Sequence, residues 1–408
     1  MRHLLAVVTT VILLACSSLA TGFKTLHDFA AQPAQDPSSL VQGPDGNLYG
    51  TTVNEGTACP TLCGTVFELA LTSGRWQYQV IHSFAGSGSD GEAPLGPLLF
   101  DQAGNIYGTT FSLGNSQTCL TQHLDCGTVF ELSPSSAGWV ETILYKFTGS
   151  SDGAYPGGNI VLDGAGNLYG TTYDGGTSGW GVVYELTPGA DGWSETVLYS
   201  FTGANDGGVP EGGVTFDGNG NLLGTTYIGG SSGVGTVFKL TPSGSGWTQS
   251  VLYSFTGGSD GAYPGHNLLL DSAGNIYGAA AGGGLTNCTS GCGTVFELSP
   301  SGAGWTFSDL YSFSGPDGQT PGEILFDASG NIFGVADGGV LSCPCCGCGV
   351  LYKLVPGSSQ WTQTELFKFN GTTGEFPDAL VLDRTGDLYG TTSGGGTHND
   401  GTVFGVRP

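Results

Sequence analysis

The chain has 408 residues and a net charge of −25, from 34 acidic and 9 basic side chains. Such a charge repels phosphate backbones and anionic lipid surfaces, so nucleic acid is excluded as an expected partner. Glycine is very common, at 75 residues, which indicates many tight turns. Hydrophobic residues make up 38% of the chain, enough for a packed core, and this excludes a disordered protein.

Residues 1–20 have the pattern of an export signal, with a basic start, an apolar stretch from Leu4 to Leu14 and small residues after it. Two alternative cleavage sites fit this segment. Ser18-Leu19-Ala20 suits a general signal peptidase, whereas Leu13-Leu14-Ala15-Cys16 resembles a lipobox, in which Cys16 would be lipidated. We predict a signal peptide over 1–20, one folded domain over 21–408, and a monomer in the cell envelope or outside the cell. A lipid on Cys16 would be its one contact with the membrane.

From Phe23 onward the chain is a tandem repeat. Its marker is a Gly-Asn-Leu-Tyr-Gly strand or a close variant. The marker glycines, which are 54 to 62 residues apart, are Gly46, Gly104, Gly166, Gly220, Gly274, Gly330 and Gly386. A fixed period of this size is typical of repeat architectures.

Each repeat predicts four short strands. In the third repeat these are 159–162, 167–172, 181–186 and 193–201, separated by turns rich in glycine, aspartate and proline. The last of them alternates strictly, with Trp193, Val197 and Phe201 on one face, and such a tryptophan recurs in most repeats. No sustained helical periodicity follows residue 20, so the sequence predicts an all-β fold.

Four antiparallel strands per repeat and seven repeats predict a seven-bladed β-propeller. The ends of the chain are out of phase with the blade: residues 23–29 resemble a fourth strand, whereas the chain ends on a third strand at 402–406. We therefore expect the N-terminal strand to join the last blade and close the ring, which removes two exposed sheet edges.

Several motifs recur in fixed order: Asp-Gly-x-x-Pro, Gly-Asn-Leu-Tyr-Gly-Thr-Thr, Gly-Thr-Val-Phe-Glu-Leu and Val-Leu-Tyr-Ser-Phe-Thr-Gly. In this combination the sequence resembles the GloVer-type tandem-repeat family of exported bacterial proteins over about residues 23–406. The resemblance implies a location in the envelope or outside the cell, and it implies no activity.

Removing Cys16 from the 11 cysteines leaves an even number, as in an exported disulfide protein. Each group lies within one loop, so we predict local bridges Cys59–Cys63, Cys119–Cys126 and Cys288–Cys292. Bridges within the last cluster would join Cys343, Cys345, Cys346 and Cys348. Metal binding by that cluster is the alternative, but no histidine lies beside it and we expect no metal there.

The loops after the second and fourth strands share one face of the disc, which we call the Asp-Gly face. It carries the cysteines and the candidate ligand-binding residues Asp90, Asp152, Asp206, Asp260, His266 and Asp317. Asp-Gly and the proline that follows also encode turns by themselves. We expect no cofactor; one carboxylate per blade falls short of a Ca²⁺ site, and Asp217-Gly218-Asn219 opens like a Ca²⁺ loop without its closing acid.

No catalytic arrangement stands out in the sequence, and His27 and His82 occupy the tyrosine position of the fourth strand as packing variants. The sequence therefore favours an exported, non-enzymatic binding module that takes a glycan or protein ligand on the Asp-Gly face. The alternatives are a hydrolase or lyase at the mouth of the central channel and a structural cell-surface protein. Titratable residues clustered at the axis would favour the enzyme.

Overall fold

The computed structural model describes residues 22–30, 35–54, 63–86, 90–112, 119, 126–244, 246–302, 304–339, 348–358 and 360–408. Within these ranges the regular structure is built from β-strands, and no helix is long and apolar enough to cross a membrane. The 28 strands form seven antiparallel sheets of four, one per blade. The export signal predicted over 1–20, with Cys16, lies outside the described residues.

Within a blade the strands follow one another from the axis outward. Blade 1 contains β2 (Gln35–Gln42), β3 (Leu48–Asn54), β4 (Thr65–Thr72) and β5 (Arg75–Ser83). Blade 2 contains β6 (Leu99–Phe100), β7 (Ile106–Thr110), β8 (Thr128–Ser135) and β9 (Gly138–Lys146). Blade 3 contains β10 (Ala154–Leu162), β11 (Leu168–Asp174), β12 (Val182–Gly189) and β13 (Gly192–Ser200).

The later blades repeat this order. Blade 4 contains β14 (Val214–Phe216), β15 (Leu222–Thr226), β16 (Thr236–Ser243) and β17 (Gly246–Ser254). Blade 5 contains β18 (Leu269–Leu270), β19 (Ile276–Ala280), β20 (Thr294–Ser301) and β21 (Gly304–Ser312). Blade 6 contains β22 (Gln319–Phe326), β23 (Ile332–Asp337), β24 (Val350–Val355) and β25 (Thr362–Lys368).

Blade 7 contains β26 (Glu375–Leu382), β27 (Leu388–Gly394) and β28 (Thr402–Val406), and its outer strand is the N-terminal β1 (Lys24–Asp28). β1 runs antiparallel to β28, with Lys24 opposite Gly405 and Asp28 opposite Thr402. The predicted seven-bladed propeller and its closure by the N-terminal strand are thus confirmed.

The core lies between blades rather than within one. Tyr169, Val183 and Phe201 of blade 3 pack in one buried cluster with Leu222 and Phe238 of blade 4. The recurring fourth-strand tryptophan completes this contact: the Trp247 ring lies edge-on to Tyr169 of the preceding blade, with 6.4 Å between ring centroids. The alternation read from the sequence therefore places one face of each sheet against its neighbour.

A second contact between blades involves backbone and is repeated around the ring. A proline at or shortly before the start of each inner strand packs on the glycine that precedes the third strand of the previous blade. A Cβ on that glycine would lie between 2.3 and 2.7 Å from the proline Cδ, closer than any real contact. The seven pairs are Gly401 with Pro37, Gly64 with Pro94, Gly127 with Pro156, Gly181 with Pro210, Gly235 with Pro264, Gly293 with Pro321 and Gly349 with Pro377.

The residue before each of these prolines has a left-handed backbone although it is not glycine, with φ between 47° and 59°. The seven are Asp36, Ala93, Tyr155, Val209, Tyr263, Thr320 and Phe376. Left-handed backbone at β-branched residues such as Val209 and Thr320 is strained. The backbone N–H of each of these residues donates a hydrogen bond to the carbonyl of the residue that precedes the partner glycine, at 2.8 to 3.2 Å. We call the proline, this residue and the glycine together the blade seam.

Candidate functional site

The inner strands surround a cavity of about 240 Å³ on the propeller axis. All seven blades contribute to its wall, mostly through the residues that directly follow the seam proline. Because that proline ends the Asp-Gly-x-x-Pro loop, these residues lie at the end of the axis next to the Asp-Gly face. The repeated turn thus places one short segment from every blade at the same point.

Three carboxyl groups line this cavity: Glu211 of blade 4, Glu323 of blade 6 and Asp378 of blade 7. Blades 6 and 7 are neighbours in the ring, and blade 4 is separated from blade 6 by blade 5. We call them the channel carboxyl set. Burial raises the pKa of each to about 7, and repulsion from Asp378 adds to the effect at Glu323. Among the described residues that line the cavity there is no lysine or arginine to oppose them.

His266 of blade 5 lies in the same wall. Burial lowers the pKa of its imidazole to about 4, so the ring is neutral at pH 7 and can both donate and accept a hydrogen bond. Asn159, Asn267 and Tyr173 add further hydrogen-bonding groups. Burial and the charges of Glu211 and Asp378 raise the pKa of Tyr173, which keeps its hydroxyl protonated.

Glycines of the next blade lie against these side chains, and Gly265 leaves the space that Glu211 occupies. A Cβ on Gly265 would lie 2.9 Å from the Glu211 carboxylate oxygen, and one on Gly322 would lie 3.8 Å from Nε2 of His266. The Glu323 carboxylate is also fixed, because the backbone N–H of Leu380 donates to it at 2.9 Å. The site is therefore built from contacts between blades, and one of these contacts holds the Glu323 carboxylate in place.

The predicted aspartates of the Asp-Gly loops lie elsewhere, beside the ends of the outer strands. Asp152 accepts hydrogen bonds from the Tyr145 hydroxyl at 3.1 Å and the Thr148 N–H at 2.8 Å. Asp260 accepts the same two kinds of bond from Tyr253 at 3.0 Å and Thr256 at 2.8 Å. Asp206 and Asp317 follow this pattern. Each carboxylate thus forms hydrogen bonds between the end of the fourth strand of a blade and the loop that follows that strand.

Of the six predicted ligand-binding residues, His266 alone lines the axial cavity. Asp90 accepts the N–H of Ala85 at 3.0 Å and has His82 nearby, where blades 2 to 5 have tyrosine. A ligand role for the five aspartates stays a prediction. Asp217 forms the simple hairpin turn, since its Oδ1 accepts the N–H groups of Asn219 at 2.8 Å and Asn221 at 2.9 Å.

The described cysteines lie in loops of the Asp-Gly face, and two of the expected bridges are present, Cys119–Cys126 and Cys288–Cys292. Cys63 and Cys348 are also disulfide-bonded. Their predicted partners Cys59, Cys343, Cys345 and Cys346 lie outside the described residues. The carbonyls of Cys63, Cys126, Cys292 and Cys348 accept the seam hydrogen bond, so these cysteines tie the variable loops to the blade seams.

The channel carboxyl set was missed in the sequence, where no grouping of acids stands out. A signal was nevertheless present: Glu211 and Asp378 directly follow the seam proline of their blades, and Glu323 follows it by two residues. Aligning the repeats on that proline would have placed all three acids at one level of the axis. The sequence-based search instead followed the aspartates before the proline.

Comparison with known proteins agrees with this architecture. The sequence profile of the Gloeobacter/Verrucomicrobia repeat matches residues 116–342 and 285–408, and the chain belongs to that family. No curated protein sequence is similar enough to match.

Among solved structures, a catalytically inactive virginiamycin B lyase from Staphylococcus aureus with quinupristin is similar at 12% identity and a TM-score of 0.56. That match covers 95% of this chain and 100% of the lyase chain. The GH74 enzyme of Niastella koreensis is similar at 14% identity and a TM-score of 0.57, over 94% of this chain and 53% of that one. PorZ, a surface component of the type-IX secretion system of Porphyromonas gingivalis, is similar at 15% identity and a TM-score of 0.52, over 94% and 48%. Identities this low show a shared fold alone.

Proposed function

We propose that the protein is a binding module that receives, in the axial cavity at its Asp-Gly face, the end of a glycan or protein ligand rich in hydrogen-bond donors. The observation that carries this proposal is the convergence of the channel carboxyl set on one cavity without a lysine or arginine among its described wall residues. Carboxyl groups with a pKa near 7 accept hydrogen bonds from hydroxyls and attract a protonated amine.

The size of the cavity limits what can enter. At about 240 Å³ it is smaller than the pockets that enclose a whole drug-sized ligand, so one terminal group would enter and the rest would contact the surrounding loops. The disulfides in those loops lower the cost of ordering them on binding. Disulfide bonds are also typical of an oxidising compartment, which supports a location outside the cytoplasm; a lipid on Cys16 is part of this proposal.

Titration calorimetry with three probes tests the proposal: oligosaccharides of glucose, oligosaccharides of glucosamine, and a lysine-rich peptide. We expect at least one probe to bind, and Glu211→Ala or Asp378→Ala to weaken it roughly tenfold or more. Asp191→Ala, in an exposed turn on the opposite face, is the matched control and should leave binding unchanged. Absence of binding by all three probes would favour the structural cell-surface protein.

A hydrolase or lyase is the second candidate. Carboxyl groups with near-neutral pKa values beside a neutral imidazole suit general acid–base catalysis, and two of the similar structures are named as enzymes. Incubating any bound oligosaccharide with wild-type protein and with Glu323→Gln separates the two functions. Turnover by wild type that the variant loses would establish the enzyme, and an intact oligosaccharide would support the binding module.

A further inference from the structure

Three metal-ligating side chains meet at the contact between blades 1 and 2. They are His82 at the end of β5, Asp90 in the following loop and Glu141 on β9. Nε2 of His82 and one carboxylate oxygen from each acid all lie within 4.8 Å of one another, and His82 Nε2 is 3.7 Å from Glu141 Oε2. The cluster lies at the outer strands, away from the axial cavity.

The facing atoms of this cluster lack the partners that buried polar atoms normally have. Nε2 of His82, Oδ1 of Asp90 and Oε1 of Glu141 are each buried without a hydrogen-bond partner in the described structure. The side chains of His82 and Glu141 are 17% and 14% exposed, so water replaces few of the missing contacts. Three unsatisfied polar atoms at one point are costly unless something binds between them.

At the four contacts from blade 2 to blade 6, a hydrogen-bond donor stands at one or both of these positions. In place of His82 they carry Tyr145, Tyr199, Tyr253 and Tyr311, whose hydroxyls donate to the aspartate of the loop that follows. In place of Glu141, Gln249 and Gln363 donate their amides to the backbone carbonyl of Asp206 and Asp317 in the preceding blade. At the contact between blades 1 and 2, metal-ligating groups replace both donors.

We propose that His82, Asp90 and Glu141 bind one first-row divalent cation, with zinc as the best fit, and that the ion joins blade 1 to blade 2. Imidazole nitrogen and carboxylate oxygen are both zinc ligands, and three protein ligands leave the fourth tetrahedral position to water. Three protein ligands fall well short of what Ca²⁺ takes. Zinc–ligand bonds of about 2.0–2.2 Å would place the ligand atoms roughly 3.5 Å from one another. The ligand atoms would therefore have to approach one another by about 1 Å, which rotation of the side chains can supply.

Zinc binding is measured on the full exported chain, with its disulfides oxidised, after treatment with a chelator. Calorimetry and the visible spectrum of bound Co²⁺ should show a site with nitrogen and oxygen ligands, and ZnCl₂ should raise Tm. His82→Tyr installs the residue found in blades 2 to 5, and Glu141→Gln installs the residue found in blades 4 and 6. Each should weaken zinc binding roughly a hundredfold or more, since losing even an outer-shell partner typically costs 10–100-fold.

Glu195→Gln provides the matched control. Glu195 occupies the position of Glu141 at the next blade contact, where Tyr145 stands instead of histidine, so this variant should bind zinc like wild type. Lys146, whose charge also attracts Glu141, is unchanged in every variant. His82→Tyr should in addition raise the Tm of the metal-free protein, because its hydroxyl can donate to Asp90. Equal zinc affinity in wild type and His82→Tyr, or a wild-type Tm that zinc does not raise, would overturn the proposal.

Discussion

Substituting alanine for Gly235 tests the blade seam most directly. Gly235 precedes β16 in blade 4 and has a φ of 106°, a conformation that L side chains rarely adopt. A Cβ there would lie 2.5 Å from Cδ of Pro264 in blade 5 and 2.5 Å from the carbonyl oxygen of Thr226. Neither neighbour can move freely, because Thr226 pairs with Thr236 in the sheet and Pro264 leads into the wall of the axial cavity.

The expected loss has two parts. Strained backbone at a non-glycine residue costs about 1–3 kcal/mol, and overpacking a well-packed contact costs about 1–3 kcal/mol more. Gly235→Ala should therefore lower the free energy of unfolding by about 2–6 kcal/mol. Gly233→Ala measures the first part alone, since Gly233 has a φ of 78° but no atom within 4 Å of the added Cβ.

Urea denaturation followed by tryptophan fluorescence measures both variants against wild type. We expect Gly235→Ala to lose about 1–3 kcal/mol more than Gly233→Ala, the part due to overpacking. If the two variants lose the same free energy of unfolding, the blade seam accommodates a methyl group without cost. The contact between Gly235 and Pro264 would then contribute little to the joining of the blades.

Three further predictions concern closure, pH and the disulfides. Deleting residues 23–29 should expose the edge of β28 and produce dimers or aggregates in size-exclusion chromatography, and a stable monomer would contradict this. Because burial raises the pKa of the channel carboxyl set to about 7, the folded protein binds more protons than the unfolded chain between about pH 4 and 7. The contribution of these three groups to stability should therefore fall as pH rises through this range. The slope of stability against pH should change in Glu323→Gln toward a shallower fall, and a slope unchanged by that variant would refute the assignment. Replacing Cys288 and Cys292 together by serine should cost only about 2 kcal/mol, since the loop they close is short; loss of the fold at 25 °C would show a larger role.

The sequence determined the blade count, the strand order and the closure of the ring. These follow from local signals: the marker strand around Gly166, strict alternation from Trp193 to Phe201, and turns of glycine, aspartate and proline that recur at a fixed period. In blade 3 the predicted strand 159–162 is extended in the structure to Ala154–Leu162, through the proline, whereas the other three bounds agree within about three residues. Proline fits there because β10 is an edge strand of its sheet and pairs within that sheet only with β11.

Only the tertiary structure decided where the polar groups meet. Glu211, Glu323 and Asp378 belong to different repeats, and nothing local distinguishes them from solvated acids until ring closure brings three inner strands to one axis. The same holds for His82, which fits the tyrosine position by pattern and differs from it because Glu141 of the next blade faces it. Local turn and alternation signals act within one blade, whereas both sites depend on the register between blades, which packing across the seams sets.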